Sequence, residues 1–70
     1  MMKVFLNGEL IGVVLNTTML MKTSVSLEAL QDAVVEQGEA RYRIVGWGPT
    51  YETTDARIVE RLKLEPDGRS

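Results

Sequence analysis

Short blocks of apolar and polar residues along the chain predict strands at both ends and one helix between them. Two β-rich runs, Met2–Leu6 and Glu9–Leu15, flank the dipeptide Asn7-Gly8. Asn and Gly both tolerate positive φ, which a two-residue type I′ turn requires. The pattern therefore predicts a β-hairpin at the start of the chain.

The turn also predicts which hairpin residues share a face. If Leu6 lies opposite Glu9, an unbroken ladder places Val4 opposite Ile11. One side of the ribbon then carries Met2, Val4, Leu6, Ile11, Val13 and Leu15. The other side carries Lys3, Phe5, Leu10, Gly12 and Val14. Because both sides are largely apolar, we expect both faces to be covered rather than one to face water.

The middle of the chain has the spacing of an amphipathic helix. Ser26 is a suitable N-cap, and Glu28 lies in the first turn, where its charge favours the helix dipole. One apolar stripe consists of Leu27, Leu30, Ala33 and Val34. Gly38 is a natural residue after the last turn, so the helix should end near Gln37. Val35 falls outside the stripe and is expected to be exposed.

The remaining segments are shorter and less regular. Residues 19–22 form an apolar run too short to classify, and residues 40–47 resemble a strand that ends before Gly48-Pro49. A polar loop is expected at residues 50–55. Residues 56–65 could form a strand or a helix, and their alternation near the end favours the strand, with Ile58, Leu62 and Leu64 pointing inward.

These elements occur in the order β-β-α-β-β, which predicts an α+β fold. The fold would be a small antiparallel sheet with one helix packed on one face. Residues 1–65 would form a single domain, because 70 residues make at most one. Residues 66–70 are expected to be a flexible tail.

Composition limits the chemistry that the chain can perform. The chain has no histidine and no cysteine, so Ser-His-Asp and Cys-His catalysis and zinc sites built on thiolate or imidazole are excluded. We expect no enzyme activity, no metal and no cofactor. The lack of cysteine suits a reducing cytoplasm. The main apolar, charge-free stretch, residues 10–21, is shorter than the ~20 residues of a membrane span, so no membrane association is expected.

One candidate function is nucleic-acid binding. Two strands near the C-terminus would place five cations and an aromatic ring on one sheet face, a combination that can hold single-stranded nucleic acid. These residues are Arg41, Arg43, Trp47, Arg57, Arg61 and Lys63. A net charge of −2 disfavours this alternative, because nucleic acid is itself anionic.

The preferred hypothesis is protein binding. The N-terminal half has more apolar residues than one short helix can cover, and a small domain without disulfides often gains stability by association. We expect a non-enzymatic module, a regulator, an inhibitor or an accessory subunit, that binds another protein or a second copy of itself as a homodimer. The predicted interface residues are Val4, Leu6, Ile11, Val13, Met19 and Met21.

Overall fold

The chain folds into one curled antiparallel sheet of eight strands, described here for residues 1–68 from a computed structural model. Arg69 and Ser70, part of the predicted tail, lie outside the described residues. The strands are β1 (Met2–Leu6), β2 (Glu9–Leu15), β3 (Thr18–Met21), β4 (Val34–Gln37), β5 (Ala40–Gly46), β6 (Thr50–Glu52), β7 (Arg57–Val59) and β8 (Lys63–Pro66). Their order across the sheet is β6-β7-β3-β2-β1-β4-β5-β8. The predicted α+β class is therefore wrong.

The N-terminal hairpin is confirmed. Strands β1 and β2 have the predicted bounds. Asn7 and Gly8 have φ values of 52° and 83°, as the turn type requires. Leu6 pairs with Glu9, as expected. The turn chemistry alone therefore predicts the two strands and the pairs next to the turn.

The predicted register fails beyond the first two pairs. Val4 pairs with Gly12 instead of Ile11, because the ladder shifts by one residue between Val4 and Phe5. Such a bulge reverses the direction of every later side chain on the bulged strand. Val14 consequently points into the core and Val13 points out. Ile11 precedes the shift, stays on its predicted side with Val4, and is also buried.

The predicted central helix is wrong. Its first half is a short 3-10 helix, Leu27–Asp32, and Ser26 makes no side-chain cap hydrogen bond there. The backbone becomes extended at Ala33, and the second half of the predicted helix is strand β4. Val35, expected to be exposed, is fully buried and pairs with Val4 on one side and Tyr42 on the other. β-Branched residues stabilise this strand by packing, which outweighs a marginal helix.

The C-terminal part of the chain contains more strands than predicted. The expected loop at residues 50–55 contains strand β6, which pairs with β7. Residues 56–65 form two strands rather than one, because Arg61 adopts a φ of 55° and breaks the extension between β7 and β8. Leu62 is buried as expected, but Val59 rather than Ile58 points inward.

A single core lines one face of the sheet, which we call the inner face. Val4, Val14, Met19, Val35 and Val59 are each at most 1% exposed. Leu30 of the 3-10 helix closes this core from the side of β1 and β5. The opposite face, which we call the outer face, is covered by no element within residues 1–68. None of the helical turns described in residues 1–68 is long and apolar enough to cross a membrane.

Candidate protein-interaction surface

The outer face carries one continuous row of side chains across seven strands. Strand pairing places one residue of each strand directly opposite the next. In order from β6 to β5 these are Tyr51, Ile58, Leu20, Val13, Lys3, Glu36 and Arg41. The first four are apolar or aromatic and the last three are charged. The outer face is thus divided into two halves along the row.

The apolar half extends the row by three further side chains. We define it as Phe5, Leu10, Val13, Leu15, Leu20, Tyr51 and Ile58. Leu20 is 46% exposed and Tyr51 is 51% exposed, and Leu10 and Leu15 are also exposed. Scattered exposed apolar residues are normal, but a contiguous set of this kind makes the apolar half a candidate interaction surface.

A shallow groove of about 260 Å³ crosses the apolar half. Leu10, Val13 and Leu20 line it together with Ala56. Gly12 also lines the groove, and a Cβ added there would sit 2.5 Å from the carbonyl oxygen of Leu20. The close approach of β2 and β3 therefore depends on glycine at this position.

The charged half of the outer face contains cations and anions together. We define it as Lys3, Glu36, Arg41, Arg43, Lys63 and Glu65. Arg41 lies 3.5 Å from Glu36, and Arg43 pairs across strands with Glu65. Asp32 and Asp67 line the same groove as Arg43. This half is a mixed surface rather than a basic one.

The residues predicted for nucleic-acid binding are not brought together. Arg41 and Arg43 lie on β5, with Lys63 beside them on β8, whereas Arg57 lies on β7, with four strands between β7 and β5. Arg61 follows β7 in the connection to β8. Trp47 is half-buried and packs against the core, so its ring is not an open stacking platform.

Arg57 instead fastens strand β6 and the loop before the 3-10 helix to β7. Its side chain is only 14% exposed and lies 2.9 Å from Glu52. The guanidinium also donates to the carbonyl oxygens of Val25 and Thr23. Because Arg57 and Glu52 are paired on neighbouring strands, these bonds hold β6 and the segment before the 3-10 helix in fixed positions.

Most residues of the predicted protein interface lie in the core. Val4, Ile11, Met19 and Met21 are each no more than 2% exposed. The partly buried Leu6 packs against them. Among the six predicted residues, Val13 is the one on the outer face. Sequence reasoning missed Leu20 and Tyr51, although the sequence Met19-Leu20-Met21 in a strand would have signalled an outward Leu20 by its period of two.

The sheet has two edges, and β6, which forms one of them, has two free backbone donors. Residues 53 and 56 share a backbone hydrogen bond, as do residues 49 and 60. Because bonded pairs alternate in an antiparallel ladder, the backbone groups of Thr50 and Glu52 point away from β7. Among residues 1–68, β7 is the single element in contact with β6.

At the other edge, Asp67 donates to the carbonyl of Arg41. By the same alternation, Leu64 and Pro66 present the outward backbone groups of β8. Proline has no N–H, so this edge lacks one of its donors. Charged neighbours and proline are typical of a strand edge protected against pairing.

The described residues hold no group of three or more carboxylates placed to bind a metal ion. No protein-family model, curated protein or solved structure matches the chain. The outer face and the β6 edge are the features on which a functional proposal is based.

Proposed function

We propose that the chain is a small non-enzymatic protein-binding module that acts as a homodimer. The observation that supports this proposal is the apolar half of the outer face. Its side chains lie next to one another on five paired strands, and no element within residues 1–68 covers them. Contact with protein would remove this apolar surface from water, which favours association.

The size of the chain is compatible with such an interface. A standard interface buries about 800 Å² on each partner. The total accessible surface is 4823 Å², so a standard interface would cover about one sixth of it. The apolar half reaches the sheet edge at Tyr51, where a second copy can contact both the side chain and the backbone. The rest of the apolar half, centred on Leu20, remains for a partner protein.

The position of the charged half supports the same assignment. Lys3, Glu36 and Arg41 continue the row beyond Val13, so the apolar half has a polar border on that side. Protein interfaces commonly have an apolar centre with a polar rim. This arrangement would limit the contact to one half of the sheet.

A charge placed in the apolar half tests the proposal. We expect the wild-type chain to be a dimer in sedimentation equilibrium. Tyr51→Lys should raise the dissociation constant of this dimer about tenfold or more, because the charge would lose hydration in the interface. Val45→Lys is the matched control: Val45 is 46% exposed, similar to Tyr51, but lies on β5 outside the apolar half.

We expect the Val45→Lys control to associate as the wild type does. Circular dichroism would establish that both variants are folded. A wild-type chain that stays monomeric at millimolar concentration would overturn the homodimer. Equal weakening by the two substitutions would show that the apolar half has no special role.

A further inference from the structure

We infer that two copies of the chain join through strand β6, which pairs antiparallel with β6 of the second copy in a register centred on Tyr51. This inference rests on the proposed homodimer and specifies its geometry. The two sheets would become one continuous sheet of sixteen strands.

The free backbone groups of β6 are self-complementary. Thr50 and Glu52 each present an N–H and a carbonyl oxygen away from β7, as the bonding of residues 49 and 53 requires. A two-fold axis beside Tyr51 and perpendicular to the sheet places Thr50 of one copy opposite Glu52 of the second. Each such pair exchanges two hydrogen bonds, so the two pairs satisfy all of these groups.

Two neighbouring registers are less favourable. An axis beside Glu52 would place the two Glu52 carboxylates directly opposite each other, and like charges in that position destabilise a ladder. An axis beside Thr50 would pair Glu52 with Gly48 of the second copy. The N–H of Gly48 is already bound to the carbonyl of Glu60. The register centred on Tyr51 avoids both conflicts.

Side chains favour the same register on both faces. Thr50 and Glu52 point to the inner face, because they pair with Val59 and Arg57 there. Glu52 would meet an uncharged Thr50 while keeping its ion pair with Arg57. On the outer face, the two Tyr51 rings would meet across a non-hydrogen-bonded pair, where side chains approach most closely.

This geometry has a consequence for the apolar half. A two-fold axis perpendicular to the sheet keeps the outer faces of both copies on the same side. The apolar row of one copy then continues into that of the second through the two Tyr51 side chains. Leu20 is separated from the axis by β7 and β6, so self-association leaves it accessible to a partner protein. A face-to-face dimer would bury Leu20 instead.

Disulfide trapping tests the register. The chain has no cysteine, so Tyr51→Cys introduces one thiol per copy, and oxidation joins two copies if residue 51 faces itself. Non-hydrogen-bonded pairs bring Cβ atoms close to disulfide distance. We expect Tyr51→Cys to cross-link at least about ten times faster than Glu65→Cys on the β8 edge, because pairing raises the effective thiol concentration.

A proline substitution tests the backbone bonds. Thr50→Pro removes an N–H that points away from β7, whereas Thr50→Ala also removes the threonine hydroxyl but keeps the backbone donor. The dimer would lose two hydrogen bonds in the proline variant, so we expect its dissociation constant to rise about tenfold above that of Thr50→Ala. Leu20→Lys should leave the dissociation constant unchanged.

The outcomes separate this inference from the proposed function. If the wild-type chain is dimeric but Tyr51→Cys cross-links no faster than Glu65→Cys, the register is wrong and the homodimer stands. If Leu20→Lys abolishes a wild-type dimer, the copies pack face to face and the edge pairing is wrong. If the wild-type chain is monomeric at millimolar concentration, the homodimer itself is overturned.

Discussion

Replacing Gly12 by alanine tests the close approach of β2 and β3 next to the bulge in the N-terminal hairpin. An added Cβ would lie 2.5 Å from the carbonyl oxygen of Leu20 and 3.1 Å from the Cα of Met21. Both contacts are with backbone, which cannot rotate away as a side chain can. The two strands must therefore separate by nearly an ångström or lose part of their pairing.

The expected loss of stability is about 2 kcal/mol. Over-packing a tight site costs about 1–3 kcal/mol, and the upper end applies where backbone has to move. Replacing glycine also restricts the unfolded chain, which returns about 0.4–1 kcal/mol. For a domain of this size, a net loss of about 2 kcal/mol lowers the Tm by roughly 8–16 °C.

Gly46→Ala is the matched control, because Gly46 is also a strand glycine without positive φ. Its added Cβ would lie 3.6 Å from the Lys63 side chain, an ordinary contact. We expect its Tm to match or slightly exceed that of the wild type. Thermal unfolding should be followed by circular dichroism at one protein concentration, because association raises the apparent Tm. Equal stability of the two variants would refute the close pairing of β2 with β3.

Four further substitutions test the core and the sheet. Leu30→Ala should lower the free energy of unfolding in urea by about 2–5 kcal/mol, since Leu30 is fully buried; a loss below 1 kcal/mol would place the 3-10 helix outside the core. Arg57→Met should cost about 1–3 kcal/mol in the same assay, because the carbonyls that Arg57 binds lose their donor; an unchanged unfolding midpoint would contradict that role. Ile11→Asp should abolish the folded NMR spectrum, because an unpaired charge would enter the core, whereas Val13→Asp should retain it; loss of the folded spectrum in both variants would favour the unbulged register, which places both side chains on one face.

The hairpin shows what local sequence is able to determine. Asn7-Gly8 specifies a turn type, and the turn defines the two flanking strands and their first pairs. The shift after Phe5 was not predictable in the same way. A bulge depends on how β2 fits between β1 and β3 at once, and sequence periodicity contains no information about the second neighbour.

The central segment shows why periodicity misleads. Leu27, Leu30 and Ala33 have helical spacing, and all three do contribute to the core or pack on it. The same residues satisfy that requirement from one 3-10 helix followed by a strand. The adjacent residues Val34 and Val35 favour the strand because β4 has a place between β1 and β5, a non-local contact that outweighs helix propensity.

The candidate surface was anticipated in character but not in position. The sequence was expected to contain more apolar residues than one short helix can cover, and the apolar half of the outer face is an uncovered set of such residues. The surface was assigned to residues such as Met19 that lie in the core, because both sides of the predicted hairpin were largely apolar and the pattern did not distinguish them. Tyr51 was hidden in an expected loop, since a three-residue strand gives too short a pattern to recognise.

An NMR dilution series tests the central claim most directly, because it maps the contact surface residue by residue. Amide signals of a uniformly labelled chain should be compared between micromolar and millimolar concentration. We predict that the shifts concentrate on β6 and β7, with Thr50 and Glu52 changing most. Shifts confined to β8 or to the charged half, or no concentration dependence at all, would contradict an association through the β6 side of the sheet.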